Sequence, residues 1–212
     1  MACSRVFEEA GERGGGMGKG RVEAFSDGVI AIIITIMVLE MKVPAGGSLK
    51  ALIPVLPDFL SYVLSFLYLG IYWNNHHHML HTVEKVTGGM LWANLHLLFW
   101  LSLIPFVTHW VNLNPFDPVP TAFYGIVLLM AAIGYWILQW RIIKSQGPNS
   151  LLRQAIGSDW KGKLSPVLYM IAIGMSLISQ WAGYSLYTFV ALIWLIPDRR
   201  IERVLGGRRF TE

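Results

Sequence analysis

The sequence predicts an all-α polytopic membrane protein with six transmembrane helices, and three observations carry that prediction. Hydrophobic residues make up 54% of the chain and charged ones 14%, against roughly 45–50% and 25% in soluble domains. Apolar runs recur at lengths that approach the roughly 20 residues needed to cross a hydrocarbon core of about 30 Å. Basic residues segregate: in a six-span arrangement fifteen of the seventeen lysines and arginines fall on one face, leaving Lys42 and Lys50 opposite. Cytoplasmic loops carry the excess of positive charge, so both termini are expected in the cytoplasm of a multi-pass protein of the cell membrane. The net charge of +4 then has a topological origin, and no nucleic-acid partner is implied.

Residues 1–20 mix glycines with both charge signs and lack the apolar core of a signal peptide, so a disordered cytoplasmic tail is expected. A six-helix transmembrane domain is expected over residues 21–203, with a short cytoplasmic tail at 204–212. The first span occupies RVEAFSDGVIAIIITIMVLEMKVP, Arg21 to Pro44. The turn PAGGS leads to a second span between about Ile53 and Asn75, with Pro57 and Asp58 near its start, where proline costs least and a carboxylate suits the helix dipole. A polar stretch, NNHHHMLHTVEK, follows. The third span runs from Met90 to Asn112 with a kink expected at Pro105. The fourth covers about Thr121 to Trp140 and the fifth Leu164 to Trp181, separated by the long polar connection 145–163. The sixth, Tyr184 to Ile196, is short for an upright crossing unless it continues past Pro197.

Two features of the first span point to function. From Gly28 to Leu39 it carries no charge, yet Asp27 and Glu40 flank that run within spanning distance. Ionisable groups at such depth are costly and mark functional sites by default. On a helix, Gly28, Ile32, Thr35 and Leu39 share a stripe about 60° wide. Such a stripe fits a pore lining, and it fits a helix-packing seam of small and hydroxylated residues equally well.

Topology brings the FSD end of the first helix, the histidine-rich end of the second and the Trp92/Asn94 start of the third to one membrane face. Asp27 accepts hydrogen bonds, while Trp73, Asn75, His77 and Asn94 supply donors, so a network joining these residues to Ser26 and Asp27 is expected. Arg21 lies on another helical face and is placed to pair between elements. His77 and His81, spaced i, i+4, admit a metal reading, but no further paired histidine motif or HExxH accompanies them; a structural network is preferred and no metal site is expected. The single cysteine, Cys3, excludes an intrachain disulfide.

Arg21, Phe25, Ser26 and Asp27 reproduce an RxxxFSD signature, and with it the chain resembles the endosomal and lysosomal potassium channel family called transmembrane protein 175 and its prokaryotic homologues. YWNNHH at Tyr72 to His77, LWAN at Leu91 to Asn94, LIPF at Leu103 to Phe106 and WLIPDRRIE at Trp194 to Glu202 follow in the family's order. The resemblance implies a potassium-permeable channel whose pore is lined by the first helix of each subunit, with Ile32 at the constriction and Thr35 and Leu39 successively deeper. It also implies a homotetramer, since this chain holds one six-helix repeat where animal members hold two. No cofactor is implied beyond the permeant potassium ion, and no enzymatic activity. The chain lacks TVGYG, so modest selectivity for potassium over sodium is expected from an apolar constriction rather than from carbonyl rings. The alternative is a small-solute or proton-coupled transporter, which would also use Asp27 and the histidines but ordinarily shows inverted repeats and broken helices at mid-membrane.

Overall fold

The structure, a computed structural model, describes residues 18–147, 150–157 and 159–195. Residues 1–17 of the expected N-terminal tail lie outside them, as do Pro197, most of WLIPDRRIE and the basic tail. The described residues are helical with short connections. Helix α1 spans Lys19–Leu39, and its last turn closes through the Glu40 amide on the Ile36 carbonyl at 3.3 Å. In the turn that follows, Gly46 takes φ +135°, a conformation that side chains with a Cβ rarely adopt. A 3-10 helix, Leu49–Val55, then leads into α2, Leu56–His81. As expected, Pro57 and Asp58 sit in the first turn of α2.

Helix α2 does not stop near Asn75. The polar stretch Asn74 to His81 continues it, because nothing there breaks the helical ladder and the next glycines are Gly88 and Gly89. Thr87 then caps α3, Gly88–Ser102, by accepting from the Met90 amide at 3.4 Å. The kink expected at Pro105 is a full break at Leu103, after which α4 runs Ile104–Leu113 with Pro105 in its first turn. Proline has no N–H for the Leu101 carbonyl, and its ring crowds that carbonyl. Helix α5 spans Pro118–Gln146 and ends at Gly147, φ +82°. The polar connection contains a short helix α6, Leu151–Ile156. Helix α7, Trp160–Ile178, is capped by Asp159, whose carboxylate accepts from the Gly162 amide at 3.2 Å. Helix α8 covers Gln180–Leu195.

Among the described residues five segments are long and apolar enough to cross a membrane: Lys19–Leu39, Leu49–His81, Gly88–Leu113, Pro118–Gln146 and Trp160–Ile178. The sixth expected span corresponds to α8, described over 16 residues. The chain is an all-α, multi-pass membrane protein.

Helix α5 is the hub, packed against α3, α4, α7 and α8. Two glycines permit close approach. A Cβ at Gly134 would stand 3.1 Å from the Leu97 Cα of α3, and one at Gly125 would overlap the Tyr187 hydroxyl of α8 and Ile173 of α7. Small residues at contact points are how membrane helices gain van der Waals packing without a hydrophobic drive between them. Interior hydroxyls tie the bundle together. Ser65 of α2 meets Thr108 of α4 at 2.7 Å and Tyr124 of α5 at 3.1 Å, while Tyr68 donates to the Tyr187 carbonyl at 2.6 Å. Helix α1 stands at the edge, with its main contacts to α2, α3 and α4.

Candidate functional site

Helix α1 has two faces of different chemistry. Val22, Ser26, Ile30, Ile33 and Met37 are buried against the bundle, a spacing of three and four residues that makes one stripe. Gly28, Ile32, Thr35 and Leu39 are exposed, Ile32 at 58% and Leu39 at 81%. At 100° per residue the two stripes are centred roughly 150° apart. Nothing stands within 4 Å of the position a Cβ would take on Gly28. Within the protomer, then, this stripe is not a seam between α1 and its own bundle. Beside it runs an apolar groove of about 700 Å³ between α1 and the α3–α4 break, lined by Ile32, Ile33 and Ile36 on one wall and Pro105, Phe106 and Trp110 on the other. The Thr35 hydroxyl lies 3.0 Å from the carbonyls of both Ala31 and Ile32. Its proton is therefore used within the helix, while the oxygen lone pairs remain free to face outward.

At the other end of α1 the three polar termini do meet. Asn94 of α3 is buried and donates through Nδ2 to the Ser26 Oγ at 2.9 Å. Its Oδ1 lies 2.7 Å from the His76 Nε2; an amide oxygen can only accept, so His76 carries its proton on Nε2. Ser26 passes its own proton to the Val22 carbonyl at 2.8 Å. A second link runs nearer the surface, where the Trp73 Nε1 donates to the Asp27 Oδ1 at 2.9 Å. Three helices are thus joined by a chain of directed bonds at the base of α1.

Two of the expected members take other places. The hydrogen-bonded histidine is His76 rather than His77, because one residue turns a helical side chain by about 100°. That rotation puts His77 on the outer side with Trp73 and His81, four residues either way. Its ring stacks on Trp73 at 6.1 Å between centroids and meets His81 edge-on at 4.3 Å. Asn75 turns back along α2, donating to the Ile71 carbonyl at 2.8 Å; its backbone carbonyl accepts from the Tyr135 hydroxyl at 3.4 Å. Arg21 and Phe25 are exposed on the protomer. Among the described residues no group of three or more His, Cys, Asp or Glu side chains is arranged to hold a metal ion.

Sequence reasoning missed three residues here. His76 shares the buried stripe Tyr68, Tyr72, His76, Leu80 of α2, and that period of four was the signal that marks it as inward-facing. Glu23 keeps one carboxylate oxygen buried without a hydrogen-bond partner among the described residues. Lys19 donates to the His81 carbonyl at 2.7 Å, a cation at the negative end of α2.

A family model described as endosomal/lysosomal potassium channel TMEM175 matches residues 21–105, the stretch that holds nearly all of α1, the whole of α2 and α3, and the start of α4. A potassium channel of Chryseobacterium sp. (strain P1-3) is 57% identical over 189 residues, covering 89% of this chain and 98% of the relative. The chain belongs to the TMEM175 family. The fold agrees: the crystal structure of a lysosomal potassium-selective channel TMEM175 homolog from Chamaesiphon minutus superposes with a TM-score of 0.75 at 28% identity, over 85% of this chain and 97% of that one. The human endosomal/lysosomal proton channel TMEM175 is 36% identical over 101 residues. The chain spans only 20% of that animal relative. These TMEM175 relatives are ion channels, not enzymes.

Proposed function

We propose that this TMEM175 protein is a potassium-permeable channel, a homotetramer in the cell membrane with six spans per subunit and cytoplasmic termini. The pore is lined by the outward stripe of α1. The observation that carries this reading is the two-faced character of α1: a helix apolar enough to span, held by its buried stripe and its polar base, leaves Gly28, Ile32, Thr35 and Leu39 exposed among the described residues. Four copies of that stripe around an axis make rings. The Ile32 ring is the narrowest, Leu39 forms a second apolar layer, and Thr35 sets an oxygen ring between them.

An apolar constriction passes ions only when wetted, and it strips part of the hydration shell without replacing it. Potassium, the more easily dehydrated ion, is favoured over sodium, but modestly, since no ring of carbonyls compensates. The network of Ser26, Asp27, Trp73, His76 and Asn94 has an architectural role: it sets the angle of α1 and hence the spacing of the rings. Arg21 and Phe25, exposed on the protomer, are left available to neighbouring subunits.

Purified protein in liposomes tests this. A potassium gradient alone should drive flux that does not saturate and needs no coupling ion. Flux that saturates or requires a proton gradient would instead support the transporter reading.

A further inference from the structure

Helix α5 is the hub on one side and bare on the other. Val119, Phe123, Ile126, Trp136 and Trp140 are exposed along it, forming an apolar stripe left uncovered among the described residues. From Val119 to Trp140 the helix rises roughly 32 Å at 1.5 Å per residue, close to the hydrocarbon thickness of about 30 Å. The stripe ends in an indole, the side chain favoured at the boundary of the bilayer. The next exposed side chains are Arg141 and Lys144, which this length puts at headgroup depth.

Those two cations are held rather than free. Both lie over the Trp140 ring, the Arg141 guanidinium carbon at 5.3 Å from its centroid and the Lys144 amine at 4.8 Å. Arg141 also lies against the start of α3, its Nη1 3.4 Å from the position a Cβ would take on Gly89. The Gln146 side chain donates to the Thr82 carbonyl at 2.9 Å. The connection from α2 to α3, which carries exposed Lys85 beside exposed Glu84, is thereby fastened to the end of α5 at both of its ends. Arg141 and Lys144 thus share one corner with the connection that carries Lys85 and Glu84, at the end of an apolar stripe of membrane thickness.

We propose that this corner is a binding site for the phosphate headgroup of an anionic phospholipid, with Arg141 and Lys144 as its principal ligands and the acyl chains laid along the nearer half of the stripe, from Trp136 toward Ile126. A bilayer lipid is the occupant because charge complementarity and the length of the stripe both specify it. A basic patch in water would need no apolar track of membrane thickness leading to it. The inference requires only that the chain spans a membrane and is independent of which ion it conducts.

The test is native mass spectrometry of the full chain released from nanodiscs of phosphatidylcholine containing phosphatidylglycerol. Wild type should retain phosphatidylglycerol over phosphatidylcholine. The double variant Arg141→Gln/Lys144→Gln should bind it about thirtyfold more weakly, from roughly fivefold per interfacial cation. The double variant Arg153→Gln/Lys163→Gln removes the same charge from exposed positions elsewhere and should leave retention unchanged. Trp140→Leu keeps both charges and should weaken retention a few-fold by releasing them from the ring. Equal loss in the two double variants would mean a diffuse field rather than a site. That result, no preference for phosphatidylglycerol in wild type, or full retention in Trp140→Leu would overturn the proposal as stated.

Discussion

Replacing Asn94 by alanine removes the one side chain that joins α3 to both α1 and α2. Asn94, Ser26 and His76 are 3%, 0% and 1% exposed, so no water replaces the two lost bonds of 2.9 and 2.7 Å. In a soluble core each orphaned group would cost about 1–3 kcal/mol. Bonds between membrane helices average about 0.6 kcal/mol and reach about 1.7, because chains unfolded within the membrane also find partners. Two such bonds give a loss of about 1–3 kcal/mol. Ser26 keeps its bond to Val22, so most of the cost falls on His76. Unfolding by titration with sodium dodecyl sulfate from mild-detergent micelles measures it. A double-mutant cycle of Asn94→Ala with Ser26→Ala should show coupling. Ser185→Ala, an exposed hydroxyl bonded within its own helix, is the control. If Asn94→Ala falls within about 0.5 kcal/mol of wild type, the limit at which independent sites are distinguished, the network does not hold α1.

Ile32→Asn should wet the constriction, raising conductance and admitting sodium more readily in bilayer recordings; unchanged current and ion preference would remove Ile32 from the pore. Thr35→Val deletes the outward oxygen while keeping the shape, and should lower the preference for potassium, read from reversal potentials. An unaltered preference would leave Thr35 with only its bond back into the helix. Asp27→Ala strands the Trp73 indole at the base of α1 and should disperse the tetramer on size-exclusion chromatography and cross-linking, and Trp73→Phe should weaken assembly in the same direction. A stable Asp27→Ala tetramer with changed ion preference would move Asp27 into the permeation path.

Much of this was legible in the sequence because membrane helices are written in long apolar runs and in the sidedness of charge. That Gly28, Ile32, Thr35 and Leu39 share one face followed from their spacing, but spacing could not say whether that face is turned outward or packed against a neighbouring helix. The break at Leu103 was half legible: Pro105 marks a kink, but only the packing of α4 against α5 decides that the chain restarts a helix there. The choice of His76 over His77 was hidden by treating the five adjacent polar residues Asn74 to His78 as the end of a span. Helix α2 runs through them, and once it does, the rotation of each histidine is fixed by the buried stripe that precedes it. Asn75 misled for a related reason, since an asparagine inside a helix can satisfy itself on the carbonyl four residues back.

The central claim is that the outward stripe of α1 lines the conducting path, and cysteine accessibility tests it most directly. Cys3 is the chain's sole cysteine, so Cys3→Ser gives a clean background. Single cysteines at Gly28, Ile32, Thr35 and Leu39 should each let a charged, membrane-impermeant thiol reagent reduce potassium current through the open channel, while cysteines at the buried positions Ile30, Ile33 and Met37 should not. Modification at the buried positions with the outward ones silent would contradict the account.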